Sequence, residues 1–171
     1  STSSGYNQRR AACEDGVRRL AAATGQPIRA LRDVSGEMLD ASREALSEST
    51  YRRCRHVVGE IERTQQAAAL LRSGNMAGFG RLMDESHVSL RDDYEVSGPE
   101  LDLLVQIASG VPGVLGARMT GAGFGGCTVN LVSVDAVAPL EEAIRRDYPD
   151  RAGLEPEVYV CSAVNGAESV A

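Results

Sequence analysis

The sequence predicts an α+β domain with a helical first half, followed by a mainly antiparallel sheet with packed helices. Apolar residues recur at helical spacing from Tyr6 to about Gly110. Two runs rich in β-branched residues, 114–120 and 127–134, then flank a glycine-rich stretch. A further helical pattern and a final alternating run complete the order helices, strand, strand, helix, strand, which is typical of the α+β class.

Length and composition favour one domain over residues 1–171. The chain has 171 residues, of which 43% are hydrophobic, so it can bury a core. With two Phe and no Trp, Ala, Leu and Val must supply most of the packing. No apolar run approaches the ~18–20 residues that span a bilayer, and no signal-peptide pattern opens the chain, so we expect a soluble protein without a membrane partner.

The first half predicts an antiparallel pair of long helices. The first helical pattern ends before Gly25, and Ser35 is placed to cap a shorter helix that reaches about Leu46. The next pattern is the clearest and closes at Gly74, after which Asn75 can cap the following helix. Two long helices joined by so short a turn should lie side by side as an αα-hairpin.

The second half contains three further boundary signals. Residues 97–100, Ser-Gly-Pro-Glu, predict a capping box at the start of a helix. Asp135 is placed to cap a later helix, which Pro149 should stop. Residues 157–163 alternate apolar side chains on two sides and predict a last strand.

Charge excludes several classes of function. The formal net charge is −6, which argues against nucleic-acid binding, because that function needs a basic face. Every basic residue is Arg and none is Lys. A Walker-type phosphate loop and a Schiff-base lysine are therefore both impossible.

Cysteine and histidine usage predicts neither a metal site nor a thiol nucleophile. Cys13, Cys54, Cys127 and Cys161 lie far apart with no C-x-x-C pair, which favours reduced core thiols in a cytoplasmic protein. His56 and His87 are the only histidines and show no metal-ligand spacing. We expect both to be hydrogen-bonded structural residues, with no role in the site assigned to them.

The glycine stretch 121–126 is the best candidate for a site. Four of its six residues are glycine, which lets a ligand or another backbone approach closely, and its N–H groups can form an anion nest. The stretch satisfies G-x-G-x-x-G, but a strand follows it, so the dinucleotide-binding reading fails. A protein kinase would need a downstream Lys and a His-Arg-Asp loop, and both are absent. A hairpin that only permits close packing remains the alternative.

Several segments together resemble one family. The segment RMTGAGFGGC, residues 118–127, resembles the third signature motif of galactokinases, a family of GHMP small-molecule kinases. Four other segments look like galactokinase stretches in the same order: YNQRR (6–10), RHVVGE (55–60), ESHVSL (85–90) and YEVSGPELD (94–102). The resemblance therefore covers nearly the whole chain.

The resemblance implies the fold of this chain and implies that the catalytic and ATP-binding motifs lie in another domain. It implies a GHMP-kinase C-terminal-type, ferredoxin-like domain over residues 1–171. In that family an N-terminal domain carries the Gly-Glu-His sugar motif, the Gly-Leu-Ser-Ser-Ser ATP loop, the catalytic Asp and an assisting Arg. No segment of this sequence matches them. We therefore expect no catalytic residue in this chain and a partner in its own N-terminal domain.

The implied activity is ATP-dependent phosphorylation of galactose at its anomeric hydroxyl, which yields galactose 1-phosphate. ATP and Mg would be bound mainly by the N-terminal domain, and the chain alone should be inactive. The resemblance implies that Tyr6 contributes a hydroxyl to galactose binding. It places an active-site loop near the phosphates, formed by Gly121, Ala122, Gly123, Phe124, Gly125 and Gly126.

Three other functions fit the same residues. One is a regulatory galactokinase relative that senses galactose and ATP. Another is a related sugar kinase, for instance one for N-acetylgalactosamine. The third is a stand-alone interaction domain with a degenerate loop. An isolated half of a two-domain kinase would expose the apolar surface that normally meets its partner domain, so we expect self-association or poor solubility.

Overall fold

The computed structural model describes residues 2–164, with side chains from Gly5 onward. Within that part the chain forms six α-helices and a two-stranded antiparallel sheet, so the predicted α+β class is confirmed. The helices are α1 (Thr2–Thr24), α2 (Gly36–Ala41), α3 (Glu48–Arg72), α4 (Met76–Asp92), α5 (Pro99–Ser109) and α6 (Val137–Ala152), and the strands are β1 (Val114–Thr120) and β2 (Cys127–Val132).

The first two helices begin and end at the predicted signals, with one difference. Gly25 follows α1 at φ 67°, and the Ser35 hydroxyl accepts the Met38 N–H at 3.2 Å to cap α2. Helix α2 ends at Ala41 instead of near Leu46. A tighter 3₁₀ turn follows, and it brings Leu46 into the same core as the helix.

Helices α3 and α4 form the predicted αα-hairpin. Gly74 has φ 72°, and the Asn75 side chain accepts the Gly78 N–H at 2.8 Å. The Ser86 hydroxyl of α4 donates to the Glu60 carboxylate of α3 at 2.9 Å, and Arg52 near the start of α3 donates to the Asp92 carbonyl at the end of α4, so the helices run antiparallel. Both cap predictions are confirmed here.

The predicted capping box before α5 is wrong. Gly98 is the N-cap residue, with Pro99 in the first turn, and no side chain caps the helix. The Ser97 hydroxyl instead donates to the Asp102 carboxylate at 2.5 Å. The Ser97 hydroxyl therefore bonds to the charged Asp102 carboxylate, which is a stronger partner than the backbone N–H that the capping-box pattern assigned to it.

Both boundary predictions for α6 are also wrong. Asp135 lies inside a 3₁₀ turn, and α6 starts without a side-chain cap. The helix passes through Pro149 and ends at Ala152, before Gly153 in the left-handed conformation. A proline here removes one hydrogen bond and crowds the carbonyl four residues earlier, but the buried ring of Tyr148 holds this last part of the helix against the core.

Helix α4 covers the open edge of β1. The Ala117 N–H donates to the Asp84 carboxylate at 2.8 Å, and the Met119 N–H donates to His87 Nδ1 at 3.2 Å. Two helix side chains thus take the place of a third strand on that edge. Such cover blocks the edge-to-edge pairing to which an exposed strand is prone.

Glycine makes this close approach possible. A Cβ on Gly80 would overlap the carbonyl group of Leu115, and a Cβ on Gly116 would lie 2.6 Å from the Cα of Gly80. Helix and strand therefore touch backbone to backbone at one glycine from each. This contact fixes how deeply α4 sits against β1.

Three clusters of buried apolar side chains form the core. The first joins α1, α2 and α3 around Leu20, Leu39 and Cys54. The second joins α5, β1 and α6 around Ala108, Ala117 and Ile144. The third is a small cluster of Leu90, Val96, Leu101 and Met119, which lies where α4 and β1 approach the glycine loop.

The predicted last strand at residues 157–163 does not form. This segment has neither helix nor strand structure, and Tyr159 and Val160 are 78% and 64% exposed. An alternating pattern supplies β-propensity, but a strand needs a neighbour that pairs with its backbone, and the described sheet ends at β2.

The prediction of four core thiols holds in part. Cys54 is buried and Cys13 is half-buried, whereas Cys127 and Cys161 are exposed. The two exposed thiols lie at the start of β2 and in the unpaired segment 157–163, where no core covers them. Across residues 2–164, no helix combines the length and apolar character that crossing a membrane requires.

Candidate functional site

The glycine loop, residues 121–126, connects β1 to β2 in a conformation that demands glycine. Most of its residues have positive φ, namely Gly121 (86°), Gly123 (80°), Phe124 (60°), Gly125 (116°) and Gly126 (123°). Side chains other than glycine rarely adopt these values. Phe124 does so, and it is one of two such non-glycine residues that the structure records.

The loop is anchored at its centre and open at its flanks. The Phe124 N–H donates to the Val96 carbonyl at 2.7 Å, and a Cβ on Gly123 would come within 2.7 Å of the Val96 side chain. Around Gly121 and Gly125, by contrast, nothing lies within 4 Å of the Cβ position. The backbone flanks can therefore be approached closely, while the Phe124 N–H is already bonded and unavailable to an anion.

The structure brings Tyr6 to this loop. A Cβ on Gly5 of α1 would lie 2.6 Å from Phe124 Cζ, so the helix packs directly on the Phe124 ring. The Arg9 guanidinium carbon lies 5.7 Å from the centroid of the same ring. Tyr6 follows Gly5 in the same helical turn and is 51% exposed. Helix α1 and the glycine loop, which are far apart in the sequence, thus pack together.

An arginine cluster, formed by Arg9, Arg52 and Arg53, holds the segment that supports the loop. Glu95 has φ 51°, and its carboxylate lies 2.8 Å from Arg52 Nη2 and 2.5 Å from Arg53 Nη2. Arg9 donates to the carbonyls of Tyr94 and Glu95 at 2.7 and 2.8 Å. The hydrogen bond from Arg53, opposed by partial burial, lowers the pKa of Glu95. Sequence patterns missed this cluster, because its members look like ordinary solvated charges on α1 and α3.

His56 is buried beside the same segment. Its Nδ1 lies 2.9 Å from the Ser89 hydroxyl, and its ring stacks on Tyr94 with centroids 4.4 Å apart. Burial lowers the pKa of His56 to about 4, although the Glu60 carboxylate opposes that shift. The ring is therefore neutral near pH 7 and packs as a structural aromatic group.

His87 links α4, β1 and α5. Because Nδ1 accepts the Met119 N–H, the ring proton belongs on Nε2, which lies 3.2 Å from the Asp102 carboxylate. Burial lowers the pKa of His87, and Asp102 opposes the shift. Both histidines thus occupy the buried, hydrogen-bonded positions expected for structural residues.

A groove of ≈ 450 Å³ runs along β1 and β2 beside α4 and ends at Thr120, next to the loop. Its walls combine apolar side chains from α4 with the Arg118 side chain, which lies 3.6 Å from the Glu60 carboxylate.

Within the described part of the chain, no three His, Cys, Asp or Glu side chains come together in a way that could hold a metal ion.

The fold and the loop define a class of domain. Residues 67–150, which run from the end of α3 to near the end of α6 and include the glycine loop, match the family described as GHMP kinases C terminal. These residues therefore form a GHMP-kinase C-terminal domain, and the chain has the α+β fold of such a domain.

Within that family, the similar proteins are galactokinases. The chain is 49% identical over 168 residues to the galactokinase of Roseiflexus sp., covering 98% of this chain and 42% of the relative. It is 51% identical over 166 residues to the galactokinase of Homo sapiens, covering 97% and 40%. The chain therefore corresponds to the C-terminal part of a galactokinase and spans about two fifths of its relatives' length.

A solved structure supports the same assignment. The crystal structure of Lactococcus lactis galactokinase complexed with galactose matches with a TM-score of 0.84 at 42% identity. The match covers 89% of this chain and 39% of the other. The predicted family and fold are thus confirmed.

Proposed function

We propose that residues 1–171 form the C-terminal domain of a galactokinase, which transfers the γ-phosphoryl group of ATP to the anomeric hydroxyl of galactose. The observation that carries the proposal is identity near one half to galactokinases over almost the entire chain. Phosphoryl transfer depends mainly on positioning and on stabilising charge, so a domain without a catalytic side chain can still shape the site.

In this proposal Tyr6 donates or accepts a hydrogen bond with galactose, and the glycine loop forms one wall of the cleft near the phosphates. Support comes from the exposure of Tyr6 and from its position beside the loop. The open flanks at Gly121 and Gly125 leave room for a substrate at the backbone. The loop then contributes shape and N–H groups and no reacting side chain.

ATP and Mg would be bound mainly outside this chain. The described residues contain no cluster of carboxylates suited to Mg, and the sequence has no Lys to place beside a phosphate. The isolated chain should transfer no phosphate, and galactose phosphorylation by the purified 171-residue chain would contradict this.

The test uses the full-length protein that carries this chain. It should phosphorylate galactose with ATP, and Tyr6→Phe should raise KM for galactose about 10-fold or more, since a lost hydrogen bond costs about 1.5 kcal/mol. Tyr159→Phe is the matched control, because that hydroxyl is exposed and bonds to Glu157. It should leave KM within about twofold.

Other outcomes would identify the alternatives. Turnover of N-acetylgalactosamine with little turnover of galactose would indicate a related sugar kinase. Binding of galactose and ATP without phosphate transfer would indicate a regulatory relative. Failure to bind either substrate would leave an interaction domain and would overturn the proposal.

A further inference from the structure

Arg9 is a partly buried cation at the junction of helix α1, the segment 94–95 and the glycine loop. Its side chain is 15% exposed, although it belongs to the first turns of α1. Its Nε and Nη2 donate to the carbonyls of Tyr94 and Glu95, and its guanidinium lies over the Phe124 ring. The Arg9 side chain thus joins helix α1 both to residues 94–95 and to the glycine loop.

These contacts form a continuous path from α1 to the loop backbone. Arg9 holds residues 94 and 95, and the next carbonyl, that of Val96, accepts the Phe124 N–H at 2.7 Å. Arg9 also contacts Phe124 directly, because its guanidinium lies over the ring. Arg9 therefore holds the loop in two ways: through residues 94–96, which support it, and through direct contact with the Phe124 ring.

Tyr6 and Arg9 lie on the same face of α1. They are three positions apart, and side chains at that spacing are neighbours on a helix surface. Gly5, at the i,i+4 position to Arg9, packs against Phe124 as well. Any movement of Arg9 relative to the loop would therefore also move the turn that carries Tyr6.

We propose that Arg9 is a positioning residue that sets the distance between Tyr6 and the glycine loop. The inference deepens the galactokinase proposal and rests on it for the roles of Tyr6 and the loop. Arg9 touches neither substrate. It acts by holding the sugar-contacting turn and the phosphate-facing wall in one geometry.

The geometry explains why arginine is needed here. The planar guanidinium reaches two successive carbonyls and still presents a face to an aromatic ring, which a lysine ammonium cannot do. Arg52 and Arg53 hold the Glu95 carboxylate from α3 and so keep the support segment in place independently. Loss of Arg9 should accordingly loosen the junction without unfolding the domain.

The adjacent residue offers a matched control. Arg10 has a side chain that is 71% exposed and pairs with Glu14 one helical turn away. Arg10→Gln removes the same charge from the same helix as Arg9→Gln, without touching the loop or its support. Any difference between the two variants therefore reports the Arg9 contacts.

The first test measures kinetics in the full-length protein. Arg9→Gln should lower kcat/KM for galactose about 10- to 100-fold, because a shift near 1 Å in a positioned group costs on that order. Arg9→Lys should lie between wild type and Arg9→Gln, and Arg10→Gln should stay within about twofold. Equal losses in Arg9→Gln and Arg10→Gln would overturn the proposal.

A double-mutant cycle separates positioning from general destabilisation. If Arg9 acts through Tyr6, adding Arg9→Gln to Tyr6→Phe should cost much less than Arg9→Gln costs alone. Fully additive effects, at equal active fraction, would show that Arg9 is merely structural. Arg9→Lys carries the same cycle if Arg9→Gln does not fold.

Hydrogen exchange gives a readout independent of activity. Arg9→Gln should speed amide exchange across residues 121–126, and Arg10→Gln should not. If the wild-type protein phosphorylates no galactose, the function proposal fails, while faster loop exchange would still support the junction. If the wild type is active and loop exchange is unchanged in Arg9→Gln, the inference about Arg9 is wrong.

Discussion

Replacing Gly80 by alanine should be strongly destabilising, although alanine is the better helix former. Gly80 lies in the interior of α4, where a Cβ would overlap the Leu115 carbonyl of β1. Ordinary contact between such atoms begins near 3.4 Å, so the helix must retreat by about 1 Å or more. A strand backbone cannot give way as a flexible side chain can.

The size of the loss follows from what holds α4 to β1. The hydrogen bonds from Ala117 to Asp84 and from Met119 to His87 measure 2.8 and 3.2 Å. If α4 moves away by about 1 Å, both hydrogen bonds become too long to form, and each loss costs about 1–3 kcal/mol. Overpacking adds about 1–3 kcal/mol, and alanine's helix propensity returns about 1. Together these terms give a net loss of about 2–8 kcal/mol.

The assay is urea unfolding followed by far-UV circular dichroism, with Gly59→Ala as the control. Gly59 lies inside α3, where a Cβ would first meet the Arg63 guanidinium at 3.1 Å, the far end of a flexible side chain. This variant should be neutral or more stable by up to about 1 kcal/mol. If Gly80→Ala were as stable as Gly59→Ala, the backbone contact would not set the position of α4, and the reasoning would be refuted.

Two further predictions concern titration and thiol access. His56, with a pKa lowered by burial to about 4, is neutral when folded, while the unfolded chain binds its proton near pH 6.5. The free energy of unfolding, measured with urea, should therefore be highest above pH 6.5 and fall by up to about 3 kcal/mol toward pH 4. The pKa of His87 is also lowered, so His87 adds to the same trend. A maleimide should label exposed Cys127 and Cys161 quickly, whereas Cys54, whose pKa is raised by burial to about 12, should react only on unfolding. Flat stability over that pH range, or early labelling of Cys54, would contradict the described burial.

Local signals predicted the helical half well. Ser35, Gly74 and Asn75 act where the sequence placed them, because a cap depends on a few neighbouring backbone groups. The Ser97 and Asp135 predictions failed, because a cap pattern does not show which bond a side chain makes, or whether it makes one. Ser97 has a better acceptor in Asp102, and no side chain caps α6.

The candidate site likewise has one part that the sequence predicted and one part that it did not. The glycine loop was visible in the sequence, because positive φ at successive positions requires glycine and so leaves a compositional trace. The Arg9 junction left no such trace, since its partners are main-chain carbonyls and a ring more than eighty residues away. Charge on a helix face does not reveal what it contacts.

The sequence by itself determined the α+β class, the helical hairpin, the loop between two strands and the resemblance to galactokinases. These follow from periodicity, caps and motif, which are local properties of the chain. Only the tertiary structure decided that α4 covers the edge of β1, that residues 157–163 stay unpaired and that Tyr6 lies beside the loop. Each of these depends on which distant backbone groups meet, and pairing of that kind is a property of the packed chain.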